Sequence, residues 1–126
     1  MADLTGRCLC GAICFTAPAE TMSRNHCHCE SCRRATSAPF ATWFTVPASG
    51  VRWVGTPKGF ASSPGVTRRF CPDCGSPLSY ETADRPGQID LYASSLDDPT
   101  GFVPEYHSHW DERLPWVRLA DDLPRR

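Results

Sequence analysis

At 126 residues the chain has the length of one domain, long enough to bury a core without metals merely to reach a folding threshold. Its 13 basic and 14 acidic residues leave a formal charge of -1, so neither nucleic acid nor an anionic membrane surface is an expected partner. The first residues lack the basic and apolar regions of a secretion leader, and no apolar run reaches bilayer length, so a soluble, cytoplasmic protein is expected.

The 12 prolines are scattered along the chain and break any long helical period. Between them lie short, turn-bounded segments rich in β-branched and aromatic residues. Strands are predicted over 12–16, 40–46, 51–54, 66–70, 78–81 and 88–93, a mainly β pattern in a single domain covering 1–126. Alternation places Phe40, Thr42, Phe44 and Val46 on one side of their strand. It sets Ile89, Leu91 and Ala93 against Asp90 and Tyr92, which predicts one buried face and one partly wet face. Trp43, Trp53, Trp110 and Trp116 read as core or strand-packing residues. The polar residues 121–126 are expected to fray.

The 8 cysteines, with no secretion leader, read as metal thiolates rather than disulfides. Seven fall in three clusters: Cys8-Leu9-Cys10, Cys27-His28-Cys29-Glu30-Ser31-Cys32 and Cys71-Pro72-Asp73-Cys74. The first and third each end in a cysteine followed by glycine, Gly11 and Gly75, where a positive φ lets backbone N–H groups turn toward a coordinated sulfur. Both read as zinc knuckles. Together Cys8, Cys10, Cys71 and Cys74 make one complete four-thiolate structural site that staples distant parts of the chain. Cys14, between Ile13 and Phe15, reads as a small core residue.

The middle cluster has neither the glycine nor a fourth cysteine. In extended chain Cys27 and Cys29 point to one face and His26 and His28 to the other, and a turn through Glu30 and Ser31 brings Cys32 round. Three sulfurs can then face one ion. His107 and His109 are the remaining candidates for a fourth ligand. The set therefore reads as an open zinc site, as a closed structural one, or as redox thiols in which Cys29 and Cys32 have the spacing of a redox pair. Three thiolates around a divalent ion leave a net negative charge, which suits exchange of a further thiolate better than acidification of water. A thiolate so held stays nucleophilic toward an aldehyde carbon. Arg33 and Arg34, next along the chain, are candidates to neutralise the site or to grip a substrate carboxylate.

These motifs resemble the glutathione-dependent formaldehyde-activating enzyme family, also called the GFA or CENP-V domain family. The resemblance runs through the segments around Cys8 to Phe15, Cys27 to Arg34 and Arg69 to Leu78, then Ser95-Leu96-Asp97-Asp98-Pro99, Pro104-Glu105-Tyr106-His107 and Pro115-Trp116. It implies a β-tent fold of small antiparallel sheets stapled by zinc. Cys8, Cys10, Cys71 and Cys74 match the structural zinc ligands, and Cys27, Cys29 and Cys32 the catalytic ones, two zinc ions per chain. The family's founding activity joins formaldehyde to glutathione, its co-substrate, as S-hydroxymethylglutathione. A zinc-dependent carbon-sulfur lyase acting on a glutathione-like thiol and a small aldehyde is therefore expected, although the substrate is not inherited with the fold. The alternative is a non-catalytic zinc-stabilised interaction module in which a histidine such as His107 closes the second site. A thiol redox enzyme would want a free cysteine after Cys74, and the sequence has none there.

Overall fold

Short turn-bounded runs give ten short strands among the described residues of the computed structural model, which covers residues 2–126. Strands β1 (Leu4–Arg7), β2 (Cys14–Ala17) and β5 (Arg52–Val54) form a three-stranded antiparallel sheet. The others are β3 (Ser23–Cys27), β4 (Ala41–Pro47), β6 (Lys58–Ser63), β7 (Val66–Phe70), β8 (Pro77–Thr82), β9 (Gln88–Tyr92) and β10 (Tyr106–Ser108). They form a seven-stranded sheet in the order β10-β3-β4-β9-β8-β7-β6, antiparallel except for β10 beside β3. The fold is mainly β. One α-helix, α1 (Glu30–Thr36), interrupts it, capped by the Cys29 sulfur accepting from the Cys32 N–H and ended by Ser37 in the left-handed region at φ 52°. No helix among the described residues is long and apolar enough to cross a membrane.

The sheets meet across a core in which Phe15 and Ala17 of β2 pack on Phe44 and Val46 of β4, Ile89 and Leu91 of β9, Ala93 and Leu96. Each large apolar side chain here contributes roughly 1.5–3 kcal/mol by leaving water. Gly6 makes the close approach possible: a Cβ there would sit 2.3 Å from Phe15 Cζ and 2.6 Å from the Ser95 carbonyl oxygen.

Three expectations need correction. The face of β9 bearing Asp90 and Tyr92 borders a cleft but is nearly dry, the two residues being only 8% and 7% exposed. β9 lies inside the sheet, between β4 and β8. There Asp90 accepts from Thr45 Oγ1 at 2.6 Å and takes a two-pronged pair from Arg85 at 3.0 and 2.6 Å, while Tyr92 stacks on Trp43 with centroids 3.9 Å apart. Residues 121–126 do not fray. The chain returns beside β10, with the His107 N–H donating to Pro124 O, Arg126 N–H to His107 O and Trp110 N–H to Arg126 O. Of the tryptophans, Trp43 is buried, Trp53 packs at the edge of the core and Trp110 covers His28 and His107, but Trp116 is 69% exposed and belongs to no core.

Candidate metal centres

The turn after β1 carries Cys8 and Cys10, and the turn between β7 and β8 carries Cys71 and Cys74. All four sulfurs lie within 4.8 Å of one another, with Cys8 to Cys10 at 3.7 Å and Cys10 to Cys71 at 3.8 Å. Tetrahedral coordination at a Zn–S distance of about 2.3 Å sets sulfurs about 3.8 Å apart, so the set fits a four-coordinate ion. Gly11 and Gly75 take φ values of 80° and 78°. The Ile13 and Cys74 N–H groups donate to the sulfurs of Cys8 and Cys71 at 3.3 and 3.4 Å. Ser76 joins the knuckles: its hydroxyl accepts from the Leu9 N–H at 3.0 Å and lies 3.1 Å from the Cys74 sulfur. That hydroxyl draws the Cys74 thiol down to about 5. Formation of the first knuckle is also why β2 starts at Cys14 rather than at residue 12: the Cys8 N–H donates to Ile13 O at 3.0 Å.

The second cluster is built at the junction of β3 and α1. Cys27 ends the strand, Cys29 caps the helix and Cys32 lies in its first turn. The turn expected through Glu30 and Ser31 is thus the start of a helix. Their three sulfurs also lie within 4.8 Å of one another, and no further histidine, cysteine or carboxylate among the described residues joins them. Hydrogen bonding from Cys27 and Cys32 holds the Cys29 thiol down at about 2, and the contacts with Cys29 and Cys32 push Cys27 up. A group of sulfurs that shares protons in this way is a ready cation ligand.

The histidines take the opposite face, as alternation expects. His26 Nδ1 lies 2.7 Å from Thr42 Oγ1, and His28 Nε2 lies 2.9 Å from His107 Nδ1. His107 Nε2 in turn contacts both Asp121 carboxylate oxygens at 3.0 and 3.1 Å. The carboxylate requires the proton on His107 Nε2, so His107 Nδ1 accepts from His28 Nε2–H. Burial, followed by the facing His107, depresses His28 to about 4 and keeps it neutral. His107 is therefore committed away from the sulfurs, and His109 pairs with Glu112 at 3.2 Å. The fourth protein ligand that the interaction-module reading needs is not supplied by either.

A cleft of about 1410 Å³ has the Cys27, Cys29 and Cys32 cluster in its wall, together with Trp43, Tyr80 and Tyr92. Arg34 reaches its rim, but the side chain is 78% exposed and paired with Glu30 at 3.0 Å. Arg33 is absent from the lining and turns its Nε to the His28 carbonyl oxygen at 3.4 Å. The arginine that does reach the sulfurs is Arg68 on β7. Its Nη2 lies 3.8 Å from the Cys32 sulfur, and the guanidinium sits 4.8 Å over the Tyr80 ring. The sequence suggests for Arg68 and Arg69 only a local basic patch, because Arg68 stands 36 residues from Cys32. The usable signal was alternation, since Arg68 shares a strand face with Val66 and Phe70. Cys14 stays outside both clusters, half-buried, with its sulfur 3.5 Å from the Gly11 carbonyl oxygen.

The class is thus a mainly β domain with two cysteine clusters, each of which could hold a metal ion. Over residues 3–112 the sequence matches the family described as glutathione-dependent formaldehyde-activating enzyme, and the chain belongs to that family. A Schizosaccharomyces pombe protein described as an uncharacterized lyase is 35% identical over 80 residues, 64% of this chain and 58% of its own length. The crystal structure of a Rhodobacter sphaeroides protein has a TM-score of 0.63 at 23% identity, covering 79% of this chain and 97% of that one, and shares the fold.

Proposed function

We propose that this protein is a carbon-sulfur lyase that makes or breaks the adduct of a glutathione-like thiol with a small aldehyde, formaldehyde being the simplest. Cys27, Cys29 and Cys32 would hold a catalytic zinc, and Cys8, Cys10, Cys71 and Cys74 a structural one. Residues 1–126 act as one domain, in the cytoplasm, on small molecules. The observation that carries the reading is a three-sulfur cluster, without a fourth protein ligand among the described residues, in the wall of an open cleft. Zinc in such a set supplies an exchangeable position where a thiol loses its proton yet keeps a nucleophilic sulfur.

The chain supplies the surroundings. Cys27 and Cys32 are buried on the protein side, and the Trp43 and Tyr92 rings give the cleft an apolar wall that limits access of water to the reacting sulfur. Burial raises Tyr80 and Tyr92, so both keep their phenolic protons. A phenol O–H beside the cluster can donate to the carbonyl oxygen as sulfur adds to the carbon and negative charge gathers on that oxygen. The reaction balances without a further reagent: the S–H proton ends on the former carbonyl oxygen, and cleavage reverses the path.

The test is metal content together with thiol binding and rate. Two zinc ions per chain are expected, one of them lost in Cys29→Ser, with faster formation or breakdown of the glutathione–formaldehyde adduct than in buffer. Two-zinc protein that neither binds the tripeptide thiol nor alters either rate would overturn the proposal.

A further inference from the structure

The cleft holds four arginines, and three of them are already matched to carboxylates: Arg34 to Glu30 at 3.0 Å, Arg69 to Glu81 at 2.9 Å and Arg85 to Asp90 at 2.6 Å. Arg68 has no carboxylate partner among the described residues. Its Nη2 faces the Cys32 sulfur at 3.8 Å, and its Nη1 is enclosed with no hydrogen-bond partner. Desolvating a guanidinium without a counter-ion is unfavourable, and the negative charge beside this one is that of the cysteine cluster. Three thiolates on a divalent ion carry one net negative charge, and a fourth would double it. That second negative charge is what an incoming thiol must overcome.

We propose that Arg68 is the charge-balancing residue of the three-cysteine cluster, which it fits to accept a thiolate from solution. The inference rests on the proposed function, because it presumes that an external thiol is the natural fourth ligand. Arg68 acts through the sulfurs and so is a positioning residue for binding. It works on the sulfur itself rather than on the rest of the thiol molecule. Neutral 2-mercaptoethanol and anionic glutathione should therefore depend on it alike. Tyr80 beneath the guanidinium fixes its plane, and Arg68→Lys would keep the charge but lose the fork.

The experiment uses cobalt-loaded protein, whose thiolate-to-cobalt absorption reports the ligand on the metal independently of turnover. Titrations with 2-mercaptoethanol and with glutathione are run on the parent, Arg68→Met and Arg68→Lys, with metal stoichiometry and circular dichroism recorded for each. A unit charge about 4 Å from the cluster is large enough that Arg68→Met should weaken both thiols by tenfold or more. Arg68→Lys should recover to within about threefold of the parent, as a charge effect predicts and a packing effect does not. Loss of glutathione binding alone in Arg68→Met would overturn the proposal, since Arg68 would then be gripping a substrate carboxylate. So would unchanged affinities in Arg68→Met. If Arg68→Met fails to fold, Arg68→Lys decides: a tenfold loss for either thiol there overturns the proposal. A parent protein that binds neither thiol overturns the proposed function itself, which separates the two failures.

Discussion

His107 is fully buried and spans two partners, so replacing it with leucine tests whether the Asp121-His107-His28 chain holds the back of the three-cysteine cluster. Leucine is close to histidine in volume and needs little repacking. The change removes the 2.9 Å bond from His28 and leaves a buried N–H unpaired, at a cost of about 1–3 kcal/mol. It also releases Asp121, whose side chain is 32% exposed and rehydrates with little further loss. A loss of roughly 1–3 kcal/mol follows, which for a domain of this size lowers Tm by about 3–15 °C. Urea unfolding of the metal-saturated protein, followed by circular dichroism, measures it. Asp121→Ala alone should cost less than His107→Leu, and the double variant should fall short of the sum, since both changes break the same contact. A loss below about 0.5 kcal/mol in His107→Leu would refute the reasoning, because His28 would then have found another acceptor or never have needed one.

Gly6→Ala should destabilise by about 1–3 kcal/mol, read in the same urea transition, because the added methyl runs into the Phe15 ring and a backbone oxygen. Unchanged stability would mean that β1 can lift off the core freely. Graded chelation should remove metal in two phases, the three-sulfur cluster emptying before the four-sulfur set; single-phase release of both ions would contradict the assignment of one open and one closed site. Arg33→Ala and Arg34→Ala should leave thiol affinity within about twofold of the parent, since Arg33 faces the His28 carbonyl oxygen and Arg34 an exposed ion pair. A larger loss in the cobalt titration would return them to the binding role expected from their place beside Cys32.

The chemistry of the cysteine spacings and the positions of most strands are legible in the sequence, whereas the exposure of a strand face is not: alternation alone makes the Asp90 and Tyr92 face of β9 wetter than it is. The two Cys-Gly knuckles converge as paired, because residue type, spacing and a positive φ all converge on the same geometry. β7 begins and ends where its predicted segment does, and β4, β5, β8 and β9 come within one residue at each end. Four strands carried no such signal. β3 reads Ser-Arg-Asn-His-Cys, with its order imposed by β4 on one side and β10 on the other. β6 is an exposed edge strand with no buried face to pattern. β1 and β10 are short, and tertiary pairing rather than propensity defines them. In the site the legible part was the grouping of the cysteines, and the missed part was the approach of Arg68 to Cys32. Proximity in sequence favoured Arg33 and Arg34, but the helix starting at Glu30 turns Arg33 to the His28 carbonyl oxygen and holds Arg34 in an exposed pair at the rim, while the sheet delivers Arg68 from a distant strand.

The four-sulfur set has a topological consequence. An ion there closes the chain into a ring between Cys10 and Cys71, 61 residues apart. Chain-entropy arguments for a covalent cross-link of that span give about 4 kcal/mol of constraint on the unfolded state. Both Arg68 and the whole of the Cys27, Cys29 and Cys32 cluster lie inside the ring. The thiol exchange proposed at that cluster would therefore take place inside a loop whose two ends such an ion holds together.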